Sequence, residues 1–193
     1  MVRGGEECSL GMGRVRIVSG QYGGRVLDAP DNRRTHPMSE RIRGAIFNSL
    51  GDLPQGAEVL DAFAGSGAVG LEALSRGAAW VTFVEKDRLA ANILRKNVVS
   101  LGVNEQTTVT QSPLASWSDT NAEAQFDLIF ADPPYHDVQF STVEKLFLHL
   151  KPGALMVLSH PGRGEAPTGA KGIVVVDNRS YGTASLTFFR RES

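Results

Sequence analysis

Residues 59–70 read Val59-Leu60-Asp61-Ala62-Phe63-Ala64-Gly65-Ser66-Gly67-Ala68-Val69-Gly70, and Leu71-Glu72-Ala73-Leu74 follow without a break. An apolar run ending on a carboxylate, then closely spaced glycines, then helix formers, predicts a strand, a tight turn and a helix. Glycine lets the backbone approach a ligand closely. The first N–H groups of the following helix have no earlier carbonyl to bond, so they point at whatever fills the turn. A nucleotide-like ligand is expected there.

Gly65-Ser66-Gly67-Ala68-Val69-Gly70 satisfies the dinucleotide pattern, and Glu85, twenty residues beyond Gly65, stands where a ribose-binding acid is expected. Asp61 argues for a different ligand. It lies four residues before the first glycine at the tip of the strand, where its charge repels a pyrophosphate and attracts a cation. S-adenosylmethionine has an ammonium and a sulfonium but no phosphate, so Asp61 suits its amino-acid end and Glu85 its ribose hydroxyls.

From Glu58 onward strand and helix patterns alternate: strand 58–62, helix 68–76, strand 81–85, helix 87–101, strands 107–111 and 126–131, a helix near 141–149, and strand 154–158. Such alternation predicts a Rossmann-like, doubly wound, mainly parallel sheet with helices on both faces. Gly172–Asp177 and Ala184–Arg190 are two further strands, making seven. The stretch between them is too short for a helical crossover, so the C-terminal strand is expected to pair antiparallel. In such a sheet ligands bind beyond the carboxyl ends of the strands, where Asp61, Glu85, Ser112 and Asp132 all fall.

Upstream, Arg14–Ser19 alternates polar and apolar residues, Gln21–Gly24 is a turn, and Arg25–Ala29 resumes the extended pattern, predicting a β-hairpin with Arg14 and Arg16 on one face. Pro30–Pro37 is a polar connector. Ser39 then caps a helix with Ile42, Ile46 and Leu50 on one side and Arg41 and Arg43 at the polar edge. Residues 1–13 show no periodicity and are expected to be a disordered extension, with Met12 an alternative start. The division expected is therefore 1–13, a hairpin with connector over 14–37, and a catalytic domain over 38–193.

The net charge of −1 hides an asymmetry: residues 14–43 carry +4 and residues 44–193 carry −4. A basic N-terminal segment on an acidic body suggests a polyanionic substrate held at one edge. No apolar segment approaches the roughly 18 residues needed to span a bilayer, and no signal-peptide pattern opens the chain. A cytoplasmic protein is expected. The single cysteine, Cys8, and four histidines without ligand spacing give no reason to expect a metal. Trp80 and Trp117 read as packing residues, and His136 as a solvent-facing turn residue.

Asp132-Pro133-Pro134-Tyr135 directly follows the apolar strand 126–131. An amino group on a planar base is a poor nucleophile because its lone pair is delocalised into the ring. A carboxylate and a neighbouring carbonyl that both accept from that N–H₂ draw it toward tetrahedral geometry and aim the lone pair. Tyr135 offers a ring on which the base can stack.

With these motifs together the sequence resembles a class I S-adenosylmethionine-dependent methyltransferase, and within that class the bacterial family that methylates the exocyclic N2 of a guanine in 16S ribosomal RNA. The resemblance covers about residues 14–190. It rests on Arg16–Arg25, Ser39–Asn48, Asp61–Gly67, Gly70–Gly77, Glu85-Lys86-Asp87, Asp132–Tyr135 and Tyr181-Gly182. It implies that Asp61, Phe63, Ala64, Gly65, Ser66 and Gly67 cradle the methionine part, that Glu85 and Lys86 serve the ribose end, and that Asp132, Pro133, Pro134 and Tyr135 hold the guanine. It further implies that Arg14, Arg16, Arg25, Arg33, Arg34, His36, Arg41 and Arg43 contact the RNA, on a small-subunit particle, and that the enzyme acts as a monomer.

Two departures stand out. The family's Arg-Pro-Thr is His36-Pro37-Met38 here, and its aspartate after the third strand is replaced by Gln111-Ser112-Pro113, leaving Ser112 to meet the adenine. Rival readings are an amino methyltransferase acting on adenine N6 or a glutamine amide, a nicotinamide-dependent oxidoreductase, and a non-catalytic RNA-binding protein.

Overall fold

The computed structural model describes residues 12–31, 38–162 and 168–193. Strands β1 (Gly13–Arg16) and β2 (Val26–Ala29) pair antiparallel, with Arg14 opposite Asp28. Helix α1 (Glu40–Leu50) starts at Ser39, whose hydroxyl accepts the Ile42 N–H at 3.2 Å. There follow β3 (Glu58–Asp61), α2 (Ala68–Ser75), β4 (Trp80–Glu85) and α3 (Arg88–Leu101), the last capped by Asp87. The chain continues through β5 (Thr107–Gln111), α4 (Leu114–Thr120), β6 (Phe126–Ala131) and α5 (Phe140–Lys145). It ends with β7 (Leu150–Pro161), β8 (Ile173–Tyr181) and β9 (Ala184–Arg191).

Seven strands form one sheet in the order β5-β4-β3-β6-β7-β9-β8, and β9 runs antiparallel to both its neighbours. The expected doubly wound sheet with an antiparallel C-terminal strand is thus present. Strand order reverses between β3 and β6, so a crevice opens beyond the carboxyl ends of these two strands. Successive strand residues alternate between two cores, as the period of two requires. Val59, Phe83, Leu128 and Val157 face one core with α2, α3 and the hairpin. Leu60, Val84, Ile129 and Met156 face the other with α4 and α5.

Three local expectations need correction. Helix α4 was not anticipated, because Ser116, Ser118, Asp119 and Thr120 are poor helix formers; Leu114 and Trp117 hold it in the second core. Strand β7 extends well beyond 154–158, and β8 and β9 are joined by Gly182 and Thr183 alone. Arg43 is not at a polar edge. The buried stripe of α1 runs through Arg43, Ile46, Phe47 and Leu50, at i, i+3, i+4 and i+7, which places the guanidinium inside the protein at 1% exposure.

Arg43 is there because Glu72, fully buried on α2, is its counter-ion at 3.4 Å. The same carboxylate accepts the Val18 N–H at 2.7 Å, the Ser19 N–H at 3.1 Å and the Arg76 Nε–H at 2.8 Å. Arg43 also donates to the Arg16 carbonyl and to the Met38 carbonyl. One buried ion pair therefore ties the hairpin, α1 and α2 together. Burial pulls the Arg43 acidity constant below its usual range, and the Glu72 charge opposes that pull. Replacing Glu72 by alanine leaves a buried cation and two backbone N–H groups unpaired, and is expected to cost about 3–5 kcal/mol in urea unfolding. The double variant E72A/R43M should recover part of that loss, since no uncompensated charge then remains.

Candidate functional site

Beyond the carboxyl ends of β3, β4, β5 and β6 lies a cleft of about 900 Å³, large enough for a nucleoside-sized ligand and part of a second. Phe63, Ala64, Gly65 and Ser66 line one side, Glu85, Lys86 and Ser112 another, and Asp132, Pro133, Pro134 and Tyr135 the side across the strand-order reversal. Ala29, Pro30 and Met38 close the rim, so the end of the hairpin and the approach to α1 border the same space.

The glycine loop is held from behind. Gly67 adopts φ +84°, and a Cβ there would lie 2.2 Å from Leu94 Cδ1, so only glycine fits between the loop and α3. At Gly65, also at positive φ, a Cβ would meet nothing within 4 Å, because that side of the loop is open. The Asp61 carboxylate accepts the Gly70 N–H at 2.9 Å, fixing the first turn of α2. Glu85 accepts the Gly65 N–H at 2.8 Å and the Asp87 N–H at 2.7 Å, one on each oxygen. Both acids therefore shape the loop as well as facing whatever lies in it.

Electrostatics follow from this crowding. Asp61 is 2% exposed, and its burial, with Asp132 and Glu85 nearby, pushes its acidity constant up to about 7 against the bond from Gly70. Burial likewise pushes Asp132 up to about 6, and the Ser159 hydroxyl opposes the shift. Three carboxyls at adjacent strand ends form a site that favours a cation and carries protons near neutrality.

The structure brings the cofactor and base candidates together and divides the arginines. Asp61 lies beneath the cleft wall, Gly67 behind it, and the other candidates for both ligands are on its surface. Arg14, Arg16, Arg25 and Arg41 are exposed, and Arg25 also donates to the Ser100 carbonyl at 3.0 Å. Arg43 is committed to Glu72 and is withdrawn as a substrate contact. Arg33, Arg34 and His36 lie outside the described residues. His136 is exposed, as expected, yet reaches the cleft rim; Trp117 is buried, whereas Trp80 is partly exposed at the opposite end of β4.

Sequence reasoning missed Asn97. Buried on α3, it accepts the Asp28 N–H at 2.9 Å and donates to the Asp28 carbonyl at 2.8 Å and the Ser66 carbonyl at 2.9 Å, joining the hairpin to the glycine loop. Its signal was an asparagine on the apolar stripe of α3 between Leu94 and Val98.

The sequence matches the family described as Conserved hypothetical protein 95 over residues 15–190. The chain belongs to that family. It is 38% identical over 125 residues to ribosomal RNA small subunit methyltransferase D of Escherichia coli, a match covering 65% of this chain and 62% of that protein. The match thus spans less than two thirds of that relative's length. A rRNA methyltransferase of Bacillus subtilis, provisionally named, is 29% identical over 92% of this chain and 99% of its own. Among solved structures, an Escherichia coli protein provisionally described as a methyltransferase superposes with a TM-score of 0.82 at 31% identity, covering 94% of this chain and 99% of that one. The shared architecture is that of Rossmann-like methyltransferases. Among the described residues, no helix is long and apolar enough to cross a membrane.

Asn97→Ala removes one acceptor and two donor contacts at once. Leaving Asp28 and Ser66 backbone groups unpaired is expected to cost about 1–3 kcal/mol in denaturant unfolding.

Proposed function

We propose that this protein transfers a methyl group from S-adenosylmethionine to the exocyclic N2 of a guanine in 16S ribosomal RNA. The observation that carries the reading is the meeting, in one cleft, of the acid-flanked glycine loop with Asp132-Pro133-Pro134-Tyr135. The homologue names support ribosomal RNA as the substrate class. The exposed arginines of the hairpin and α1 support a polyanion at that edge.

The residues present fit the cofactor. Asp61 supplies a buried negative charge for an ammonium, Glu85 two carboxylate oxygens for a ribose, and the open side of Gly65 the room for close approach. When bound, S-adenosylmethionine supplies an electrophilic methyl whose S–C bond breaks as the N–C bond forms, the electron pair staying on sulfur. The protein's part is orientation and polarisation. Tyr135 stacks the base, and Asp132 accepts from the amino group, localising the nitrogen lone pair and receiving or passing on the proton it loses. Pro133 and Pro134 have no N–H to donate, so the carbonyls of this turn stay free to accept. The hairpin arginines hold the RNA, and a preformed small-subunit particle supplies the rest of the recognition.

The reading is tested by transfer of labelled methyl to small subunits lacking their modifications and to free 16S RNA, with mass spectrometry of the labelled nucleoside. N2-methylguanosine is expected, more from particles than from free RNA. N6-methyladenosine would keep the chemistry and overturn the target. Asp132→Ala is expected to abolish transfer while changing cofactor affinity by less than about tenfold; turnover near wild type would overturn its role. Asp61 gives a pH signature. Its carboxyl ionises at about 7, and only the ionised form attracts the ammonium, so cofactor affinity measured by calorimetry should rise from pH 5.5 to 8. In Asp61→Asn that rise should vanish.

A further inference from the structure

The mechanism above leaves one polar residue of the cleft unused. Ser159 lies near the end of β7, where the register sets Ala131 beside Leu158 and therefore carries Asp132 and Ser159 side by side off neighbouring strands. The serine is 2% exposed. Its Oγ lies 2.7 Å from the Tyr135 hydroxyl, and it hydrogen-bonds the Asp132 carboxylate from the other side. Tyr135, in contrast, is 38% exposed, so its hydroxyl end is anchored while the ring borders the open cleft.

We propose that Ser159 is a positioning residue for methyl transfer, the middle member of a directed hydrogen-bond chain that runs from the Tyr135 O–H through the Ser159 hydroxyl to the Asp132 carboxylate. The proposal rests on the reading that Asp132 polarises the target amine and Tyr135 stacks the base.

The direction of the chain follows from counting protons. An ionised carboxylate only accepts, so Ser159 spends its single proton on Asp132, and the Tyr135 phenol must then donate to the Ser159 oxygen. No other arrangement satisfies all three groups while Asp132 is charged. The need for such a donor follows from the sequence beside it. Residues 133 and 134 are both proline, so the two backbone N–H groups nearest along the chain, which might have held the carboxylate, do not exist. A side chain from the neighbouring strand takes their place, and because it also holds the phenol, the amine acceptor and the stacking ring are set as one unit.

The charged groups around Asp132 are few and come from each neighbouring element. Asp61 on β3 and Glu85 on β4 add negative charge; Tyr135 shares its turn; Lys86 and His136 stand on the cleft wall. His160, next to Ser159, bonds Thr187 on β9 and the Pro161 carbonyl, turning its ring away. Ser159 is the donor that both a carboxylate and a phenol of this cleft share.

The test compares wild type, Ser159→Ala, Ser159→Thr and Tyr135→Phe by the pH profile of kcat for methyl transfer to small subunits. Carbon-13 NMR of aspartate-labelled protein, with Asp132→Asn for assignment, reads the same ionisation without turnover. Ser159→Ala is expected to move the acid limb and the Asp132 midpoint up by about one pH unit, the size expected for one hydrogen bond to a charge. Ser159→Thr keeps the hydroxyl and should restore the wild-type limb. Tyr135→Phe cuts only the first link, so its limb should stay in place while KM for the RNA substrate rises severalfold. An unchanged Asp132 midpoint in Ser159→Ala overturns the proposal, as does a fall in kcat with no movement of the limb, which marks a purely structural serine. A shifted midpoint in a protein that transfers no methyl to ribosomal RNA upholds the hydrogen-bond chain and overturns the functional reading instead.

Discussion

The fully buried Glu72 carboxylate holds three parts of the chain in one arrangement. It takes backbone N–H groups from the hairpin turn at Val18 and Ser19, the Arg43 guanidinium from α1 and the Arg76 guanidinium from its own helix. An ion pair this deep contributes little net stability compared with an apolar replacement; its effect is on geometry, since only one arrangement satisfies every partner. Glu72 lies five residues beyond Gly67 on the helix that begins at the glycine loop, and Ser75, one turn further, accepts the Tyr22 N–H at 2.9 Å. Asn97 makes a second connection from Asp28 to Ser66. The arginine-bearing hairpin is thereby referenced to the loop that faces the cleft, with no hinge between them.

Strand order then sets the electrostatics. The central strands β4, β3 and β6 each end on an acid, Glu85, Asp61 and Asp132, because the crevice at a strand-order reversal is where a ligand can sit. Three carboxyls so close raise one another's proton affinity, and burial adds to the effect. Such an arrangement destabilises the protein alone and is relieved by a cation. The dinucleotide reading of Gly65–Gly70 fails at this point: two phosphates would add negative charge to a site already burdened with it.

Much of this was legible in the sequence because it is local. Alternation gave the hairpin, the acid-glycine pattern gave the loop, and Asp132-Pro133-Pro134-Tyr135 declared itself by composition. What was hidden depends on tertiary partners. Arg43 looked like a polar-edge residue because a helical wheel does not say that a buried carboxylate waits opposite; in fact it shares its stripe with Ile46, Phe47 and Leu50. Asn97 and Ser159 sit at positions whose pattern asks only for burial, and their roles arise from backbone groups and side chains many residues away. Helix α4 is held by Leu114 and Trp117 against the second core, an override of weak local propensity.

The same sheet fixes the relation between the two halves of the cleft. β3 and β6 are hydrogen-bonded neighbours with Asp61 in register with Phe130, so Asp61 and Asp132 leave adjacent strands within two residues of one another. Adjacent strands are held about 4.8 Å apart by their hydrogen bonds. The charge suited to one ligand and the acceptor suited to the other are thus separated by a spacing that the backbone dictates and side-chain motion scarcely alters. Loops then need only close around a geometry already set. Pro133 and Pro134 stiffen the turn that carries Tyr135, and Ser159 ties that turn back to β7, so even the part of the site that lies outside the sheet is measured from it.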